Sequence, residues 1–291
     1  MSVRIILAPH AGFCFGVERA IDLAQKAAVY TRDGKKVFTY GPLIHNPQEI
    51  ERLKTIGVEV LKSEENLDSN TVLIIRSHGI PPQKERELLS KGVKIVDATC
   101  PYVKAVHEAV QKLAKEGYFV VLVGEKNHPE VIGTWGYLKD IGGVGVIVET
   151  LQDLKVALNK QKVGVIAQTT QNENFFKEVV GELSIWVEEL KVINTICNAT
   201  SIRQEEVREL APKVDVMVII GGKNSGNTTR LYKIAKSLNP NSYHIETEEE
   251  LQEEWFGGVS TVGVSAGAST PKWIIERVIN RIREISDKAL N

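Results

Sequence analysis

Val93-Lys94-Ile95-Val96-Asp97-Ala98-Thr99-Cys100-Pro101 is the stretch whose reading decides the fold. An apolar, β-branched run ends in a short polar turn, and Pro101 stands at a favourable first helical position. Tyr102, Val103, Val106, Ala109, Val110 and Leu113 then recur at i, i+3, i+4 spacing and make one apolar helix face. A strand that closes on a cysteine and opens a helix is half of a βαβ unit. The same arrangement recurs on either side. Val192-Ile193-Asn194-Thr195-Ile196-Cys197 leads into a charged helix through Leu210. Val3–Leu7 leads, after a short insertion, to Cys14 and a helix through Val17, Ala20, Ile21, Ala24 and Ala28.

Working outward, each repeat adds three further strands, each ending in a polar turn or short link. Val37–Tyr40 precedes His45-Asn46-Pro47, Phe119–Val123 precedes His128-Pro129-Glu130, and Val216–Ile220 precedes Gly221-Gly222-Lys223-Asn224-Ser225-Gly226-Asn227. The third strands are Val58–Leu61, Val144–Val148 and Tyr243–Ile245. The fourth are Val72–Ile75 before Ser77-His78-Gly79, Val163–Ala167 before Gln168-Thr169-Thr170-Gln171, and Thr261–Val264 before Ser265-Ala266-Gly267-Ala268-Ser269. Strands alternating with helices predict parallel sheets of right-handed βαβ units, with ligands on the carboxyl side of the strands. The expected fold class is therefore α/β: three parallel-sheet βαβ domains in pseudo-threefold arrangement around a common centre. The domains are expected at 1–96, 97–193 and 194–291, with a C-terminal helix over Trp273 to Ile285.

Composition narrows the class of function. Hydrophobic residues make up 43% and charged residues 25% of 291 residues, an ordinary globular balance. A formal net charge of −1 gives no basic excess for a nucleic-acid footprint, so an anionic substrate needs a local pocket. No apolar run approaches the roughly 20 residues that span a bilayer, and the first residues lack the pattern of a secretory signal. The expected setting is cytoplasmic, with no membrane or nucleic-acid partner. No turn carries the full dinucleotide or Walker pattern; Lys223 is out of place for the latter.

Three cysteines, Cys14, Cys100 and Cys197, are an odd number and do not make a paired disulfide framework. Composition alone reads them as small buried hydrophobes; their shared place in three repeats reads them as three thiolate ligands of one metal centre. Structural zinc takes four protein ligands, so three leave an open position of the kind reactive sites keep. Ligand type leaves both zinc and a [4Fe–4S] cluster open. His45, His78 and His128 occupy sister turns and suit an anion, whereas His10, His107 and His244 carry no site role, His244 lying in an edge-like strand away from the polar turns. Glu130 follows His128-Pro129 as a candidate proton donor, because burial of a carboxyl in such a turn favours its protonated form. Thr169 and Thr170 relay a proton, hold a substrate hydroxyl, or merely cap the next helix. Ser225, Asn227, Thr228, Ser265 and Ser269, with glycine-freed N–H groups at Gly221, Gly222, Gly226 and Gly267, offer neutral donors for a phosphate. Asn198, Thr200 and Ser201 add to these or cap their helix.

Taken together, Ala11-Gly12-Phe13-Cys14-Phe15-Gly16-Val17, Ile44-His45-Asn46-Pro47, Ser77-His78-Gly79, Asp97-Ala98-Thr99-Cys100-Pro101, His128-Pro129-Glu130, Gln168-Thr169-Thr170-Gln171, Cys197-Asn198-Ala199-Thr200, Lys223-Asn224-Ser225-Gly226-Asn227 and Ala266-Gly267-Ala268-Ser269 resemble the 4-hydroxy-3-methylbut-2-enyl diphosphate reductase family over essentially the full length. The resemblance implies that Cys14, Cys100 and Cys197 hold a [4Fe–4S] cluster whose open iron binds the substrate hydroxyl. It implies a diphosphate cradle of His45, His78, His128, Ser225, Asn227 and Ser269, with Asn198, Thr169 and the Gly226 N–H as further substrate contacts. Glu130, Thr169 and His128 are the implied catalytic residues. Relatives often carry a second hydroxyl residue where Gly226 stands. The implied reaction is a two-electron, two-proton reductive dehydroxylation in isoprenoid synthesis, giving isopentenyl and dimethylallyl diphosphate. The implied electron donor is a carrier such as ferredoxin or flavodoxin, and the expected state is a monomer. Two other readings compete: a zinc hydrolase or lyase, and a redox sensor that binds a diphosphate.

Overall fold

In the computed structural model, residues 3–288 are described. The chain begins with β1 (Arg4–Leu7), α1 (Phe15–Ala27), β2 (Lys36–Tyr40), α2 (Pro47–Thr55), β3 (Val58–Val60), β4 (Thr71–Ile75), α3 (Pro82–Ser90) and β5 (Lys94–Asp97). It continues through α4 (Pro101–Lys115), β6 (Phe119–Val123), α5 (Pro129–Asp140), β7 (Gly145–Val148), β8 (Lys162–Ala167), α6 (Glu173–Trp186) and β9 (Glu189–Val192). The last part holds α7 (Asn198–Leu210), β10 (Val216–Ile220), α8 (Gly226–Leu238), β11 (Ser242–Ile245), β12 (Thr261–Ala266) and α9 (Lys272–Lys288). The strands form three four-stranded sheets, all parallel, ordered β3-β2-β4-β5, β7-β6-β8-β9 and β11-β10-β12-β1. The expected α/β class of three parallel sheets is what the chain forms.

The sheets are offset by one strand from the repeats read in the sequence. The strand before each cysteine closes the preceding sheet as an edge strand: β5 pairs with β4, and β9 with β8. β1 has no sheet before it and pairs with β12, Arg4 opposite Thr261. Residues of the expected first domain, 1–96, therefore contribute a strand to the sheet of the third. A short apolar strand at a repeat boundary has nothing in its own sequence that selects its neighbour. The strand before Cys197 also ends earlier than expected, at Val192 rather than Ile196.

The chain divides into two compact units. One takes in the start of the chain to Val17, Ile44–Glu49 and the chain from Asn198 onward; it contains the third sheet. The other, Glu18–Leu43 and Ile50–Cys197, contains the first two. The period-two alternation of central strands fills both faces of each sheet. Val216, Val218 and Ile220 of β10 meet Ile274, Val278 and Ile282 of α9, whereas Met217 and Ile219 meet Val207 of α7 and Leu231 of α8. In the second sheet, Val121 and Val165 pack with Val179 and Leu183 of α6, while Val120, Leu122 and Ile166 pack with Val110 and Leu113 of α4. Leu113 is fully buried and fits only because Gly164 faces it: a Cβ there would stand 2.7 Å from Leu113 Cδ2. Such fit makes truncation costly. Leu113→Ala is expected to lower unfolding free energy by about 3 kcal/mol, read from denaturant titration; a loss below about 1 kcal/mol would contradict this packing.

Candidate active site

One hydrogen bond recurs in all three repeats. The Cys100 amide donates to Ser77 O (2.9 Å), the Cys197 amide to Thr169 O (3.0 Å) and the Cys14 amide to Ala268 O (3.1 Å). The three acceptors follow β4, β8 and β12 in corresponding turns. Parallel pairing of the edge strand with its neighbour sets the two turns side by side, so the bond is a continuation of the ladder. None of the three cysteines is in a disulfide, and all are of intermediate burial.

Within the larger unit, the turns of the first two sheets carry a connected polar network. Glu130 opens α5 and is 2% exposed. Its Oε1 accepts the Thr169 N–H (2.6 Å) and its Oε2 accepts the Thr169 hydroxyl (2.7 Å). The Glu130 N–H donates to His128 Nδ1 (3.2 Å), and His128 caps the helix. Nδ1 as acceptor leaves the ring proton of the neutral imidazole on Nε2. The His128 ring meets the His78 ring edge-on, with centroids 5.4 Å apart. The network thus runs from the Cys197 amide through Thr169 and Glu130 to His128 and His78. Asn172, not the threonines, caps α6, so Thr169 is released for Glu130. Gly79, at φ +73°, permits the His78 turn: a Cβ there would lie 2.9 Å from His107 Cε1.

The other unit gathers the neutral donors. Ser225 caps α8, accepting the Thr228 N–H at 3.3 Å. Asn227, in the first turn, is 5% exposed, and neither its Oδ1 nor its Nδ2 has a hydrogen-bond partner. A buried amide with both ends unmet costs on the order of 1–3 kcal/mol per group. Ser269 is buried and donates to His45 O (3.2 Å). Gly222 lets that segment approach, since a Cβ would stand 2.5 Å from His45 O. The His45 segment is further fixed by Asn46 Oδ1, which accepts the Glu49 N–H at 2.8 Å. His45, Ser225, Asn227 and Ser269 thus come together at a helix N-terminus, where backbone N–H groups and the dipole favour an anion.

The LytB protein family matches residues 5–283. This chain belongs to that family. Among its LytB relatives, the 4-hydroxy-3-methylbut-2-enyl diphosphate reductase of Aquifex aeolicus (strain VF5) is 66% identical over 99% of both chains. The protein of that name from Geobacter sulfurreducens is 47% identical over 98% of this chain and 99% of its own. A solved structure of (E)-4-hydroxy-3-methyl-but-2-enyl diphosphate reductase, the terminal enzyme of the non-mevalonate pathway, covers 97% of this chain and 99% of its own, at 66% identity and TM-score 0.74. The Plasmodium falciparum E-1-hydroxy-2-methyl-but-2-enyl-4-diphosphate reductase, 28% identical, superposes with TM-score 0.88 over 96% of this chain and 88% of its own. The family resemblance read from the motifs is thereby shown.

In this LytB chain some residues stand apart from the two networks. Asn198 is exposed at the start of α7, and Gly226, partly buried, is the first residue of α8. His10 is exposed and bonds Glu206. His244 corrects its expected isolation: β11 is an edge strand, yet the ring reaches back to Gly221 O at 2.8 Å, inside a polar turn. Two arginines were not singled out by sequence. Arg203, 4% exposed on α7, donates to Gly12 O (2.7 Å), Phe13 O (3.3 Å) and Ala199 O (2.7 Å). Arg19 of α1 donates to Thr99 O at 3.1 Å. Both hold cysteine loops by their carbonyls, and only their closeness in sequence to Cys14 and Cys197 offered a signal.

His107 is 4% exposed, stacked on Tyr137 at 4.1 Å between centroids, and burial pushes its imidazole down to about 4. The folded protein keeps it neutral while the unfolded chain protonates near pH 6.5. Its contribution to stability is therefore lost as pH falls from about 6.5 toward 4, by about 3 kcal/mol in all. Denaturation midpoints should fall more steeply over that window in the native chain than in His107→Gln; equal slopes would refute the assignment.

Proposed function

We propose that this LytB chain reduces 4-hydroxy-3-methylbut-2-enyl diphosphate, removing its hydroxyl as water to give isopentenyl diphosphate and dimethylallyl diphosphate. The observation that carries the reading is the Glu130–Thr169 pair: a buried carboxyl, joined by both oxygens to one threonine whose carbonyl holds the Cys197 amide. In this reading the buried carboxyl beside a cysteine turn is the proton donor, a group that neither a sensor nor a structural metal site requires.

The residues suit a [4Fe–4S] cluster: three cysteines outside any disulfide, in corresponding turns, with no fourth cysteine in the sequence to close the set. In this reading Cys14, Cys100 and Cys197 hold the cluster. When bound, it would pass electrons singly from an external carrier and offer a Lewis-acidic iron for the substrate hydroxyl. Asn227, Ser225 and Ser269, with His45, His78 and His128, hold the diphosphate, and the Gly226 N–H and Asn198 add contacts. Thr169 orients the substrate hydroxyl, Glu130 delivers the proton with which that hydroxyl leaves as water, and His128 fixes Glu130 through its N–H. The carbon skeleton takes up the second proton, so two electrons and two protons balance the loss of one water. A ferredoxin or flavodoxin supplies the electrons. No helix among the described residues is long and apolar enough to cross a membrane, and the proposed setting is a cytoplasmic monomer.

Two measurements test this. Protein purified without oxygen should contain about four irons and four sulfides per chain, and a serine at any one of positions 14, 100 or 197 should lose most of that iron. About one zinc per chain without iron would favour a hydrolase instead. Glu130→Gln should retain iron and substrate affinity while kcat falls about 100-fold or more; near-normal turnover would remove Glu130 as the proton donor.

A further inference from the structure

A cavity of about 280 Å3 lies at the carboxyl edge of the first sheet, walled by Tyr40, Gly41, Lys62, Ser63, Glu64 and Arg76. Gly41 and Arg76 directly follow β2 and β4, the two strands between which the strand order reverses. Open α/β sheets bind ligands at that switch point. Neither residue belongs to the reaction proposed above.

Arg76 is partly buried, and its Nε is sealed from solvent without a hydrogen-bond partner. Among the described residues the guanidinium makes no hydrogen bond and no ion pair. Burial pulls its pKa below the ordinary value, yet a guanidinium stays protonated in proteins. A partly buried charge with no partner in the chain must be completed by solvent or by a solute anion that enters the cavity. Room for the group is made deliberately: Gly41 sits at φ +74°, and a Cβ there would stand 2.9 Å from Arg76 Nη1.

The rest of the wall supports an anion. Glu64, the carboxylate of the lining, is already engaged by Tyr40 Oη (2.9 Å), Lys84 Nζ (3.3 Å) and Lys91 Nζ (3.2 Å). Lys62 has no ion-pair partner among the described residues, and its side chain is exposed at the rim. Ser63 Oγ accepts the Glu65 N–H at 3.3 Å, which leaves its own proton to donate. A guanidinium, an ammonium and a hydroxyl around one cavity suit the three acceptor oxygens of a tetrahedral oxyanion, and a twofold-negative phosphate gains more from the two cations than a single carboxylate does.

We infer that this cavity binds a small phosphate-class oxyanion, with Arg76 as its central ligand. Calorimetric titration of the full chain with inorganic phosphate tests this in the native protein, Arg76→Met and His45→Asn. Expected is phosphate binding weakened at least tenfold by Arg76→Met and retained by His45→Asn, which alters the diphosphate cradle proposed above. Undiminished binding in Arg76→Met, or binding abolished only by His45→Asn, would overturn the site. Acetate binding as tightly as phosphate would overturn the ligand class. Arg76→Met removes an unpaired charge but keeps much of the stem, so without phosphate it should melt no lower than the native chain. Should it fail to fold, Arg76→Lys serves as the second variant; it keeps the charge without the fork, and phosphate binding unweakened in it would overturn the role of the guanidinium.

Discussion

The amide of each cysteine is bonded to a carbonyl in the turn after the neighbouring strand of the same sheet, and this bond is what the site rests on. It follows from the parallel run of the edge strand beside its neighbour, which leads both chains into adjacent turns. One such bond is worth about 1 kcal/mol net, too little to hold a fold but enough to fix the height at which a thiol leaves the sheet. Repeated at Cys14, Cys100 and Cys197, it gives three thiols the same local setting without any two being close in sequence. Two arginines, one buried and one partly buried, then act on the neighbouring residues: Arg203 on Gly12 and Phe13, Arg19 on Thr99. Side-chain cations thus hold backbone that glycine and short turns would otherwise leave loose.

Glu130 and Asn227 are treated in opposite ways. Glu130 is over-satisfied, with both oxygens accepting hydrogen bonds and its N–H donating to a ring. Asn227 is left with neither end met. In the proposed reaction the group that hands over a proton needs a fixed position, while the group that grips the incoming anion needs free donors. The stability forgone at Asn227 is of the kind natural proteins accept at functional sites.

Much of this was legible in the residues. Central strands such as Val216–Ile220 and Phe119–Val123 are unbroken apolar runs, and their ends agree with the observed ones because each stops at a glycine turn or polar residue. The cysteines were legible as a set because the pattern around them repeats. What could not be read is pairing between segments distant in sequence. Nothing in Val3–Leu7 says that it lies against β12, and nothing in Thr169 says that it faces Glu130 rather than its own helix. Arg76 and Arg203 look like ordinary surface charges in sequence; only burial distinguishes them. His244 was misjudged for the same reason, since an edge strand can still point a ring back over the strand beside it.

The pairing of β1 with β12 joins residue 4 to residue 261. A ribosome that adds about 5–20 residues per second therefore releases the first strand of that sheet tens of seconds before its neighbour exists. During that interval β1 and the loop bearing Cys14 have no ladder, while the first two sheets can already close from contiguous chain. The thiol turns are thus completed in an order set by synthesis: Cys100 first, Cys197 next, and Cys14, the earliest made, last of all.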